Sequence, residues 1–199
     1  MEPSSERLIR SALHDLANVL AGVRGILDLS ADRPLTPRDR DRLDAVIDEG
    51  TTTLDRSRNL AMNLLPAAEP EPGLEWRSRL LEQLQPMSVI FLCRFEATYE
   101  GDPQADAWPG ELLRGYVQAV TRQVLPYVRG GALALHFTAD AQAWRVRWRP
   151  VPLMPENLRP DAGERAQDIS ARWAQRAGEA LGAVTALEDG SLQARIPRP

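Results

Sequence analysis

Residues 11–30 read SALHDLANVLAGVRGILDLS, and the period of their apolar side chains decides the first half of the fold. Leu8, Ile9, Ala12, Leu13, Leu16, Val19, Leu20, Val23, Ile26 and Leu27 recur at spacings of three and four, as on one amphipathic helix. At about 100° per residue, Leu16, Leu20, Val23 and Leu27 share a face, and His14 lies roughly 170° from its centre. The histidine is expected to point away from the core. Asn18 and Gly25 share its side, with Ser11, Ala21 and Gly22 flanking it, so His14 stands among small residues. Glycine inside a helix costs about 0.5–1 kcal/mol relative to alanine. Gly22 and Gly25 are then either points where another backbone comes close or tolerated surface residues. Whether His14 is reactive or incidental depends on the rest of the chain.

A second helix opens at Thr36, a good N-cap, followed by Pro37 at the first helical position. Its apolar stripe runs through Leu43, Val46, Ile47, Leu54, Ala61 and Leu64. Only the polar turn from Ala31 to Leu35 separates the two helices, so they should form an antiparallel hairpin. A lone hairpin cannot bury both stripes, whereas two hairpins close into a four-helix bundle. A homodimer is the physical expectation. AAEPEPG, residues 67–73, then marks a boundary that helix and strand both tolerate poorly. The expected division is a hairpin domain over 1–66, a linker over 67–73 and a second domain over 74–199.

After the boundary the pattern becomes mixed. A short helix is expected over Trp76 to Leu84, a strand over Val89 to Thr98, and a helix from Pro109 to about Tyr127. ALALHF and AWRVRWRP alternate as strands do, around a turn at 139–142. A helix follows over roughly Gly163 to Leu181, and Asp189-Gly190 signals a closing hairpin. The fold class is α+β: a helical hairpin, then an α/β sandwich with one mixed sheet and helices on one face. In AWRVRWRP the alternation puts Trp144, Val146 and Trp148 on one face and Arg145, Arg147 and Arg149 on the other. That arginine face is either simply solvated or a seat for an acidic partner.

Composition narrows the chemistry. Net charge is −4 over 199 residues with no basic stripe, which argues against nucleic-acid binding. All 24 basic residues are arginine, so a phosphate-binding Walker lysine and a Schiff base are excluded. The single cysteine, Cys93, sits in VIFLCRF and is expected to be buried, leaving no disulfide and no thiolate cluster. The N-terminus lacks the apolar core of a signal peptide, and no run approaches the ~20 apolar residues of a membrane span. A cytoplasmic protein without membrane contact is expected.

HDLANVLAGVRGILDLS resembles the phosphoacceptor helix of bacterial sensor histidine kinases, where a histidine, an acidic residue and an asparagine or threonine four positions on open a helical hairpin. The resemblance extends over nearly the whole chain. YVQAVTRQVLPYVRGGALALHF stands in the place of the kinase N-box helix and the strand after it, and RWAQRAGEALGAVTALEDGSLQARIP in that of the final helix and hairpin. Against that pattern, Gln123 takes the place of the Mg²⁺-binding N-box asparagine, RPVPLMP replaces the DxGxG turn, and GERAQDIS replaces the GxGLGL lid. The chain is therefore similar to the ChpT-type histidine phosphotransferases, which keep the kinase architecture but relay phosphate without ATP. Val19 stands where those relatives often carry a proline.

The resemblance implies His14 as phosphoacceptor, Asp15 as the residue fixing its tautomer and Asn18 as an orienting amide; Ser11, Ala21, Gly22 and Gly25 would form the partner-binding surface. Imidazole suits a relay because its nitrogen accepts a phosphoryl group and yields it again. No metal constellation surrounds His14 in the sequence, so no cofactor of its own is expected, and Mg²⁺ would come from the partner. The implied partners are response-regulator receiver domains and a hybrid histidine kinase. His136 is expected to be structural. Two other readings stand beside the relay: a non-catalytic dimeric adaptor that binds receivers or a kinase, and an active kinase with divergent ATP motifs.

Overall fold

The computed structural model describes residues 3–29, 33–62, 64–66, 69–101, 107–128, 130–151 and 169–198. The hairpin consists of α1 (Pro3–Leu29) and α2 (Pro37–Ala61). The start of α2 is a capping box: Asp39 N donates to Thr36 Oγ1 at 3.2 Å, and Thr36 N donates to Asp39 Oδ2 at 3.0 Å. Arg33 also donates to Asp39 Oδ2, at 2.8 Å. That guanidinium, then the Thr36 hydroxyl and amide, holds the Asp39 carboxyl well below the usual carboxylate range.

The two helices approach closely because glycine faces valine from both sides. A Cβ added at Gly50 would sit 2.6 Å from Val19 Cγ1, and one added at Gly22 would sit 3.3 Å from Val46 Cγ1. The face of α1 turned to α2 thus runs through Val19, Gly22 and Ile26, of which Ile26 is buried. This corrects one expectation, and the second stripe stays open as a lone hairpin requires. Gly22 is not on the outward side; it is half-buried against α2. Leu20 and Leu27 are not buried within one chain: with Leu13 they are 59%, 46% and 60% exposed, and Ile47 and Leu54 of α2 are also exposed. One apolar face of α1 packs on α2 while a second remains uncovered.

The proline-rich boundary is more ordered than its composition suggests. Pro70–Pro72 forms β1, which pairs antiparallel with β3 (Ala107–Pro109). Three-residue strands tolerate proline because each has a free edge. α3 spans Gly73–Phe91, well past the expected end at Leu84, and runs through Pro86. Trp76, Leu80, Leu84 and Met87 are almost fully buried on one face of it, and that burial outweighs the hydrogen bond lost at the proline. The helix stops at Leu92 in the left-handed conformation (φ 52°), so the next strand, β2, begins only at Arg94 and ends at Glu100.

α4 (Gly110–Val124) continues into a 3₁₀ turn at Leu125–Tyr127. Then come β4 (Ala132–Ala139), β5 (Ala143–Val151), α5 (Ile169–Leu181), β6 (Val184–Glu188) and β7 (Ser191–Pro197). The main sheet has the order β2-β4-β5-β7-β6, with β2 and β4 parallel and the other pairs antiparallel. The β6–β7 turn places both Asp189 and Gly190 at positive φ, as a two-residue hairpin requires. Of the expected helix over 163–181, residues 163–168 lie outside those described.

The inner face of the sheet carries Leu133, Leu135, Phe137, Trp144, Val146, Trp148, Leu192, Ala194 and Ile196, all buried under α3, α4 and α5. Trp76 and Trp108 stack at 4.8 Å in this core, with Phe137 edge-on to both. Cys93 is buried in the same core. Arg145, Arg147 and Arg149 lie on the outer face. Since the hairpin packs on the helix layer, this arginine face points away from it.

The turn between β4 and β5 yields a pH-dependent prediction. Asp140 accepts from Gln142 N at 2.8 Å and Ala143 N at 2.9 Å, and from the Arg145 guanidinium. These contacts, the Gln142 amide foremost, hold its carboxyl down to about 2. A folded-state pKa below the unfolded one gives stability that is present above about pH 4 and is lost as the pH falls toward the folded value. Urea unfolding of wild type and Asp140→Asn should therefore differ at neutral pH and converge in strong acid.

Candidate functional site

His14 is exposed on α1, and its Nε2 lies 3.3 Å from Asn18 Nδ2 one turn further on. With the amide as donor, the lone pair is at Nε2 and the proton at Nδ1. Ala21 and Gly25 continue the same exposed stripe, and nothing lies within 4 Å of a Cβ built at Gly25. The stripe is flat beyond the imidazole, so a partner surface can approach it. Asp15 is half-buried, with one carboxylate oxygen out of contact with solvent. By helical phase it belongs with Val19 and Ile26 on the α2 side rather than with His14. Ser11 lies on α1, but its side chain is outside the described residues. Gly22, on the α2 side, stands apart from the stripe. His14, Asn18, Ala21 and Gly25 are brought together.

The hairpin is joined to the helix layer by buried polar contacts that sequence reasoning missed. Glu49 of α2 is ion-paired with Arg122 of α4, and Arg56 of α2 donates to the side-chain oxygen of Gln118, also on α4. Gln118 in turn donates to Gln83 O on α3 at 3.1 Å. Glu49, Arg56 and Gln118 are all less than 8% exposed. A clue existed in the sequence: Glu49 and Arg56, seven residues apart, share a face of α2 beside its apolar stripe. Arg114 of α4 and Arg79 of α3 both pair with Glu71 of β1, tying the boundary segment to the same layer.

Gln123 turns its amide back onto Ala119 O of its own helix, at 3.4 Å. RPVPLMP is described only through Val151 and GERAQDIS only from Ile169. The residues between them, 152–168, lie outside the described structure. On the outer sheet face, His136 has neighbours that the sequence did not reveal: Thr98 Oγ1 lies 2.6 Å from Nδ1, and Glu100 Oε1 lies 3.5 Å from Nε2. Among the described residues, no group of three or more His, Cys, Asp and Glu side chains is placed to hold a metal ion. No described helix is long and apolar enough to cross a membrane.

The fold resembles that of solved histidine kinases. The chain is similar to the histidine kinase AdeS of Acinetobacter baumannii, with a TM-score of 0.59 and 12% identity over 95% of this chain and 96% of that one. It is similar to a bacterial phosphotransferase, with a TM-score of 0.51 and 11% identity over 96% and 93% of the two chains. The blue-light activated histidine kinase EL346 of Erythrobacter litoralis matches with a TM-score of 0.51 and 14% identity over 92% of this chain and 62% of that one. No protein-family model and no curated protein sequence matches. At these identities the likeness is one of fold.

The buried pair between α2 and α4 can be tested by removing one partner. Arg122→Ala strands the Glu49 carboxylate and should cost about 3 kcal/mol. Pairing it with Glu49→Leu should recover most of that loss in urea unfolding.

Proposed function

We propose that the chain is a ChpT-type histidine phosphotransferase, a homodimer that relays phosphoryl groups between receiver aspartates through His14 without using ATP. The observation that carries this reading is the exposed His14–Asn18 pair at the head of a small-residue stripe, on a fold otherwise like that of the kinases. The Nε2 lone pair attacks the phosphorus of an aspartyl phosphate held by the partner. The N–P bond forms, the P–O bond to aspartate breaks, and the carboxylate leaves with the electron pair. Nδ1 keeps its proton. Asn18 releases Nε2 and turns its amide to a phosphoryl oxygen. Reversal of the same steps on a second receiver completes the relay. The Mg²⁺ that neutralises phosphoryl charge belongs to the receiver's acidic pocket.

The absence of an ATP step is supported by α4, the helix in the N-box place. Gln118 and Arg122 on its hairpin side are engaged by Arg56 and Glu49, and Gln123 bonds its own helix. None of these side chains is an N-box asparagine free to hold Mg²⁺. Dimerisation is supported by the uncovered stripes. Exposed Leu13, Leu20 and Leu27 with half-buried Leu16 and Val23 on α1, and exposed Ile47 and Leu54 with half-buried Leu43 on α2, follow the three-and-four spacing of a bundle seam. Its partners would be receiver domains and a hybrid kinase, met in the cytoplasm.

The test is transfer of label. Wild type incubated with a radiolabelled phosphorylated receiver should become labelled, His14→Ala should not, and labelled ATP should mark neither. Asn18→Ala should slow the transfer about tenfold, the effect of one hydrogen bond to a charged group. Label from ATP alone would identify a kinase instead, and receiver binding without label would identify an adaptor. Leu20→Glu in the uncovered stripe should shift the sedimenting species from dimer toward monomer. A wild type that sediments as a monomer at micromolar concentration would rule out the bundle.

A further inference from the structure

The outer face of the main sheet carries more positive charge than its neighbours neutralise. Arg145 is ion-paired with Asp140, but Arg147 and Arg149 of β5 and Arg195 of β7 are exposed and have no acidic partner among the described residues. Arg195 stands directly opposite Arg145, and like charges facing each other across a strand pair are destabilising. Arg145, Arg147 and Arg149 also follow one another on one side of β5, about 7 Å apart. Such a face calls for counter-charge from outside the chain.

The position of the arginines limits what can bring it. β5 is the middle strand of the order β2-β4-β5-β7-β6, so a strand added at either edge would not reach them. Glu96 and Glu100 on β2 and Glu188 on β6 lie on the same outer face and flank the arginine strip. A lipid surface or a nucleic-acid backbone broad enough to cover the sheet would meet those carboxylates. Only Ala134 stands between Glu96 and Arg149, and His136 and Thr138 continue its row along β4. A single helix laid along this row fits the pattern, because its backbone is satisfied internally and its acidic side chains can reach β5.

The chain itself carries such a helix. On α2, Asp41, Asp44, Asp48 and Asp55 are exposed and have no basic partner among the described residues, and they fall within about 60° of one another in helical phase. Asp44 and Asp48 are about 6 Å apart along the axis, close to the spacing of Arg147 and Arg149. Exposed Arg38 and Arg40 lie roughly 70–90° to either side of the row, so whichever way the helix runs an arginine faces Glu96 and Glu100. The arginine face points away from the hairpin of its own chain, so the two rows cannot meet within one copy. We infer that the arginine face of one copy docks the acidic row of α2 on a second copy, head to tail. The two partners use different surfaces, so each copy keeps a free row and association continues beyond a pair. Exposed charges attract weakly, and salt screens them.

Sedimentation velocity of the full chain at sub-millimolar concentration tests the inference, at about 0.01 M and about 1 M salt, where the Debye length is roughly 30 Å and 3 Å. Wild type should form larger species at low salt than at high salt. The double variants Arg147→Asp/Arg149→Asp and Asp44→Arg/Asp48→Arg should each lose that salt-dependent step while keeping the wild-type circular dichroism. An equimolar mixture of the two should regain it, because the first keeps the acidic row and the second keeps the arginine face. The step is read as the difference between the two salts, whether the high-salt species is dimer or monomer, and His14 and the leucine stripe of α1 lie off both rows, so the outcome is independent of the relay. Equal sedimentation of wild type at both salts would overturn the inference, as would a mixture that stays unassociated. Binding of anionic vesicles or of an oligonucleotide that Arg147→Asp/Arg149→Asp abolishes, without self-association, would overturn it too and assign the face to lipid or nucleic acid.

Discussion

The ion pair between Glu49 and Arg122 ties the hairpin to α4, beside the packing of α2 on α3 and α5 that joins the two halves. It crosses from the hairpin to a helix layer built around tryptophan and leucine. Charged groups are buried there because each has a partner, and Arg56, Gln118 and Gln83 O extend the pairing into a short network. An apolar interface would allow the halves to slide, whereas paired charges fix the register at which α2 meets α4. The Arg79 and Arg114 contacts to Glu71 hold the intervening segment to the same layer.

Much of the fold could be read from period alone. The hairpin, the Thr36 cap, the alternation in ALALHF and AWRVRWRP and the Asp189-Gly190 turn are local signals, and the structure has them where the residues put them. The failures share one cause. α3 continues through Pro86 because Met87 lies on the buried face of Trp76, Leu80 and Leu84, and no local rule reports that burial. β1 exists because Ala107–Pro109 comes back to pair with it from far along the chain.

The same distinction applies at the site. The grouping of His14, Asn18, Ala21 and Gly25 follows from helical phase, which needs only the residue numbers. The position of Gly22 does not, because an apolar period on α1 cannot say which of two adjacent faces α2 will take. Leu16, Leu20, Val23 and Leu27 look like a core stripe when only one face is assumed. With α2 on the Val19–Ile26 side, they become a second stripe, exposed at Leu20 and Leu27 and half-buried at Leu16 and Val23. Long-range contacts such as Glu49 with Arg122 leave only a faint mark in sequence, two opposite charges a heptad apart.

α2 therefore has almost no idle circumference. Gly50 and Val46 face α1, Glu49 and Arg56 face α4, and Ile47 and Leu54 face outward on the remaining apolar stripe. Adding or deleting one residue within the helix would turn everything beyond it by about 100°, moving three interfaces out of phase at once. Length variation among natural relatives should consequently collect in the segment joining the two helices, or come in whole heptads that restore all three faces together.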